Sequence, residues 1–171
     1  MRRVVGVALA AVLSCLVVAV PGPGALASAR IPGGYGWPLL PRPTVERGFD
    51  PPAQRWLAGH RGVDLVGGVP VLAAGTGTVR FAGTVGGKQV VSILHADGVV
   101  TTYEPVEPSV TVGTAVTRGS PIGTLLGGHP GCASSCLHWG ARRGTGRSAV
   151  YLDPRALVGA VRVRLLPVEP D

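Results

Sequence analysis

Between residues 63 and 108 the chain alternates short apolar runs with glycines and polar residues. The runs "VPVLAAG", "TGTVRFAGTV", "KQVVSILH" and "VVTTYEPV" are Val-rich and only a few residues long. Such segments favour strands, because β-branched side chains pack well on a pleated surface. Gly86 and Gly87 join the second and third runs, and "ADG" at Ala96 to Gly98 joins the third and fourth. Each junction supplies the positive φ that a tight hairpin turn needs, so two hairpins are predicted. "VGTAVTRGSPIGTL", residues 112–125, sets glycines 113, 119 and 123 among single apolar residues, which suits a strand pair with a tight corner. The loop "LGGHPGCASSC" leads into a strand, "LHWGARR". Asp153 and Pro154 are suited to start a short helix over "DPRALVGA", since Asp accepts from free backbone N–H groups and Pro is preorganised for a first turn. "VRVRLL" alternates Val with Arg or Leu and reads as a closing strand.

The chain has 171 residues, enough for one domain with a real core and too few to expect two. Glycine (27) and proline (16) make about a quarter of it, aromatics only 5% and apolar residues 46%, a mixture that fits a turn-rich β domain better than a disordered chain. The fold expected is mainly β: a single compact domain over residues 50–167, with a short tail at 168–171. A Pro/Gly-rich lead-in, 28–49, precedes it, within which Trp37 and Leu39 are candidates to pack on the domain.

Part of the hydrophobicity belongs to the N-terminus. Arg2 and Arg3 precede an apolar run from Val4 to Val20, and small residues at Ala25 and Ala27 follow. This is the pattern of a secretory signal over residues 1–27, and it implies a secreted or wall-associated protein that meets the membrane only through that segment. An uncleaved anchor is the competing reading, although 17 apolar residues stand at the short edge for a span. Removing the segment lowers the net charge from +7 to +5. A basic surface outside the cell suits anionic envelope polymers. The basic residues are scattered, without a recognition helix or an aromatic-studded groove, which argues against nucleic acid as a partner.

Candidate chemistry lies in two stretches. "GHRGVDL" places His60 and Asp64 four residues apart, and "CLHWG" carries His138. Imidazole nitrogen and carboxylate oxygen are both zinc ligands, and three of them leave an open fourth position, which catalysis by zinc requires. Taken singly, H-x-x-x-D is a weak pattern, and His138 could equally be an ordinary half-buried histidine. On a strand Cys136 and His138 point to the same side while Leu137 packs away.

The order of the pieces is more specific than any one of them. "GHRGVD", "TGTVRFAG", a hairpin ending in "TTYEPV", "VGTAVTRGSPIGTL" and "CLHWG" together resemble the lysostaphin-like (LytM-type) zinc metallopeptidases, which are peptidoglycan endopeptidases; the resemblance covers roughly residues 50 to 158. It implies an antiparallel β-sheet domain with a substrate groove, Zn2+ held by His60, Asp64 and His138, and peptidoglycan peptides as substrate. Two departures stand out. The family's last motif, H-x-H, has Cys136 at its first position, and its Y-x-H motif reads Tyr103, Glu104, Pro105. Both proton-handling histidines are therefore missing while all three ligands remain. A positioned acid or base contributes about 10²- to 10⁴-fold, so activity should be reduced unless other groups substitute. Glu104 and His129 are the candidate substitutes; His129 could fold over the groove or simply be a solvated loop residue, and His95 is expected at a strand end without a catalytic part. The rival implication of the resemblance is a noncatalytic module that binds the wall or activates another cell-wall hydrolase.

The cysteines stay open between two readings. "CASSC" can close a small disulfide between Cys132 and Cys136, or a reduced Cys136 could fill the fourth zinc position and close the site.

Overall fold

The computed structural model describes residues 34–129, 131–132 and 135–161. The expected signal segment, the start of the lead-in, the tail and all but the first residue of "VRVRLL" lie outside the described residues.

Eleven strands are seen among the described residues: β1 (Thr44–Arg47), β2 (Gly62–Val66), β3 (Val71–Leu72), β4 (Gly77–Val85), β5 (Lys88–His95), β6 (Val99–Glu104), β7 (Val106–Pro108), β8 (Ala115–Val116), β9 (Pro121–Leu125), β10 (Cys136–Arg143) and β11 (Val150–Leu152). Every pairing is antiparallel. The large sheet runs β1-β2-β10-β6-β5-β4-β8, with β11 added beside β10, and a small sheet runs β3-β9-β7. Both predicted hairpins form. Gly86 and Gly87 turn β4 into β5 with φ of 57° and 81°, and Gly98, φ 80°, turns β5 into β6.

Three segments differ from expectation. Residues 112–125 do not pair with each other: β8 adds to the edge of β4, whereas β9 lies between β3 and β7 in the other sheet. The intervening turn, where Ser120 Oγ accepts from the Thr117 N–H and Gly119 has φ 86°, redirects the chain from one layer to the next. The expected lead-in also supplies a strand, because β1 pairs with β2; Leu39 is wholly buried, in line with its expected packing on the domain. Finally, the predicted short helix is a 3-10 turn over Pro154–Val158; Asp153 caps the Arg155 N–H as expected, and Gly159 in the left-handed region ends it.

Alternation sorts the large sheet into two faces. Val63, Leu65, Val91, Ile93, Thr101, Tyr103, Leu137 and Trp139 are buried and point to one side. They form the core with Val71, Val106 and Ile122 of the small sheet. Gly62, Asp64, Thr102, Glu104, His138 and Gly140 take the opposite face. Among the described residues, a chain of hydrogen bonds crosses the core, while the buried Trp139 Nε1 has no partner. The Ala74 N–H donates to Tyr103 Oη (2.9 Å), whose hydroxyl donates to Thr101 Oγ1 (2.9 Å), which donates to His95 Nε2 (2.8 Å). The His95 Nδ1–H then donates to the Thr76 carbonyl (2.9 Å). This order follows from the two fixed ends, a backbone donor and a backbone acceptor. Burial pushes the Tyr103 hydroxyl up to about 12 and holds His95 below its ordinary value, so both stay neutral.

Candidate metal centre

β10 carries His138 directly between two neighbours: Asp64 of β2 on one side and Glu104 of β6 on the other. His60 comes from the loop before β2, pinned by a two-way backbone bridge with Asp50. The three residues meet tightly. His60 Nε2 lies 3.0 Å from Asp64 Oδ1, His138 Nδ1 lies 2.8 Å from the same oxygen, and the two nitrogens are 3.1 Å apart. Two glycines make room for this packing. A Cβ on Gly62 would stand 2.5 Å from the Trp139 carbonyl and 2.7 Å from His138 Nε2, and one on Gly140 would stand 2.5 Å from Thr102 Oγ1.

The donor chemistry fits a cation. His60 Nδ1 is 2.6 Å from the Gly48 carbonyl, which can only accept, so Nδ1 carries the proton and a neutral His60 presents a lone pair at Nε2. That lone pair faces a carboxylate oxygen and another imidazole nitrogen. A lone pair at His60 Nε2 facing a carboxylate oxygen at 3.0 Å is unfavourable unless a proton or a cation lies between them. The observed separations of 2.8–3.1 Å are also close to the ~3.3 Å between ligands of a tetrahedral zinc with bonds near 2.0–2.1 Å. The Gly48 carbonyl supplies the outer hydrogen bond that metal-bound histidines almost always make. Burial alone would raise the Asp64 carboxyl; the bond to His138 and the nearby His129 and His60 imidazoles outweigh it and hold the group below its usual range.

His129 is drawn in. Its side chain is 9% exposed, its Nε2 is 3.6 Å from Asp64 Oδ1, and its ring lies parallel to that of His138 with centroids 5.7 Å apart. Burial, first among the influences on it, holds His129 below its ordinary pKa. Glu104 faces the same space but is engaged, its Oε1 accepting from Lys88 Nζ at 2.6 Å. These groups, Arg47, His60 and His138 line a cleft of about 250 Å3. A neighbouring hollow of about 270 Å3 continues from His138 past Thr102, Gly140 and Arg142 to Tyr151, over which the Arg61 guanidinium sits 5.6 Å from the ring centroid. Sequence reasoning missed Lys88 and Arg47. Neither carries a motif, and only the pairing of β5 with β6 and of β1 with β2 brings them to the site.

Cys136 does not approach the ligands as a thiol. It is wholly buried and joined to Cys132 by a disulfide.

Residues 58–154 match the family described as peptidase family M23. A Mycobacterium tuberculosis protein, described only as uncharacterized, is 50% identical over 139 residues, covering 80% of this chain and 56% of the relative. The chain thus spans just over half the length of such relatives. Among solved structures it is similar to the antimicrobial peptidase lysostaphin from Staphylococcus simulans, with a TM-score of 0.61 and 25% identity over 75% of this chain and 56% of that one. It also shares the fold of a zinc-containing peptidase from Vibrio cholerae, with a TM-score of 0.51 and 21% identity over 64% of this chain and 37% of that one.

Proposed function

The chain belongs to peptidase family M23, and on that premise we propose that it is an exported zinc metallopeptidase that hydrolyses peptide bonds of peptidoglycan. The observation that carries this is the meeting of His60 Nε2, Asp64 Oδ1 and His138 Nδ1 within 3.1 Å of one another, with a cleft lined in part by His60 and His138. Zinc held by these three would lend Lewis acidity to a peptide carbonyl and to water. Every other part is supplied by the chain. Gly48 fixes the His60 tautomer, and Asp64 contributes negative charge from a site with 1% side-chain exposure.

The missing histidines have neighbours able to act for them. His129, neutral and close to the ligands, is the group assigned to accept a proton at Nε2 and return it to the leaving amine. Glu104 holds the Lys88 ammonium at the cleft, where it can donate to an oxygen that gains charge. Arg47 adds positive charge for an anionic polymer. Export is supported by the Arg-led apolar N-terminus and by the disulfide, which suits an oxidising compartment.

The test is release of new amino termini from purified peptidoglycan by the zinc-loaded full chain and by His138→Ala. Release by the wild type alone supports hydrolysis; equal release by both removes it. Cys136 and Pro105, standing where the resemblance calls for histidines, favour one other reading, a wall-binding or hydrolase-activating module. Pull-down with sacculi without release of amino termini selects that reading.

A further inference from the structure

His129 and Cys132 belong to a second set of donors. Cys132 Sγ, a His129 ring nitrogen and an Asp64 carboxylate oxygen all lie within 4.8 Å of one another, and Cys136 belongs to neither this set nor the His60, Asp64, His138 set. Two independent features make this more than a cysteine near a histidine. The first is local backbone geometry. His129 and Cys132 are the ends of one turn, H-x-x-C, closed by the Cys132 N–H donating to the His129 carbonyl (3.4 Å), with Gly131 at φ 86°. Two intervening residues is the ligand spacing of zinc-binding turns, which present both side chains to one side. The second is His129 itself. Its side chain is nine-tenths buried, and its Nδ1 has no hydrogen-bond partner among the described residues. A buried polar nitrogen left unpaired is costly unless some ligand uses the ring.

We propose that Cys132 is a latent metal ligand: when the Cys132–Cys136 disulfide is reduced, Cys132, His129 and Asp64 bind a divalent cation, and the disulfide masks that set. The step balances. A dithiol reductant donates two electrons and two protons, the S–S bond breaks to give two thiols, and the reductant becomes a cyclic disulfide. Metal binding then releases the Cys132 proton to solvent and forms the metal–sulfur bond. Cys136, wholly buried, stays a thiol. The oxidised chain keeps Cys132 from ligation and leaves His129 free at the cleft. This inference does not depend on the chain being a hydrolase, since it concerns ligation alone.

Cobalt(II) is the probe, because a thiolate ligand gives it a near-ultraviolet charge-transfer absorption that nitrogen and oxygen ligands do not. The full-length chain is titrated with cobalt oxidised, reduced with a dithiol, and as Cys132→Ser and Cys136→Ser. The band is expected in the reduced wild type and in Cys136→Ser, and is lost in the oxidised wild type and in Cys132→Ser. His129→Ala in the reduced chain should weaken the band-forming binding by about tenfold, judged by chelator competition. A band retained in Cys132→Ser, or absent from both the reduced wild type and Cys136→Ser, overturns the proposal. Should Cys136→Ser fail to fold, the reduced wild type decides. Cobalt that leaves the oxidised chain unchanged overturns the three-ligand centre instead, and the thiolate band still decides this inference by itself.

Discussion

Tyr103→Phe separates the scaffold from the site. The ring keeps its place in the core between the two sheets, and only the hydroxyl goes. Its removal strands the Ala74 N–H, whose acceptor is Tyr103 Oη at 2.9 Å and whose residue is wholly buried. An unsatisfied buried donor costs about 1–3 kcal/mol, and the lost bond to Thr101 Oγ1 adds about 0.5–1.5 kcal/mol. The variant should therefore lose about 1.5–4.5 kcal/mol, a large part of a typical domain's stability. Urea unfolding followed by fluorescence measures this as a lower midpoint at unchanged slope, since the surface exposed on unfolding is the same. Because Tyr103 points away from Asp64 and His138, zinc affinity of the folded variant should match the wild type. A loss below about 0.5 kcal/mol would refute the bond from the Ala74 N–H to Tyr103 Oη. A tenfold fall in zinc affinity would refute the two-faced sorting of the sheet.

Two further outcomes follow from the same geometry. Gly62→Ala puts a methyl 2.5 Å from the Trp139 carbonyl and 2.7 Å from His138 Nε2, so strand pairing and ligand position both give way; calorimetric zinc titration should show affinity reduced at least about tenfold, alongside a lowered melting temperature. Burial holds His95 below its unfolded value of about 6.5, so the unfolded chain binds more protons in that window and stability falls as pH drops below about 6.5. His129 shifts in the same direction, so the comparison that isolates His95 is the slope of unfolding free energy against pH in wild type and His95→Gln; equal slopes would remove His95 from the effect.

The hairpins were legible because their signals are local. Paired glycines at 86 and 87, or an Asp-Gly after a Val-rich run, specify a turn from a few residues. The histidine and aspartate of "GHRGVD" gain meaning from order along the chain. What stayed hidden depends on tertiary placement. Residues 44–47 show no apolar alternation, yet they pair because β2 offers a free edge. The layer change between β8 and β9 arises from a turn whose direction no residue pattern encodes. Lys88 reads as a solvated strand start, and only the register of β5 against β6 brings it to Glu104. His129 reads in the sequence as a loop residue, and only the tertiary structure shows its side chain buried and its ring parallel to that of His138.

The order of strands also bears on how the chain is made. β10 lies between β2 and β6, and Asp64 and His138 are 74 residues apart. During synthesis from the N-terminus, β2 and β6 emerge well before the strand that joins them, so both present open edges to other chains. Closing that separation costs about 4 kcal/mol in loop entropy before any contact repays it. A nascent chain ending before Cys136 therefore has an incomplete sheet and lacks His138, one of the three residues of the candidate metal centre. On the proposed reading, binding of an ion by His60, Asp64 and His138 would report that the last long strand has been inserted.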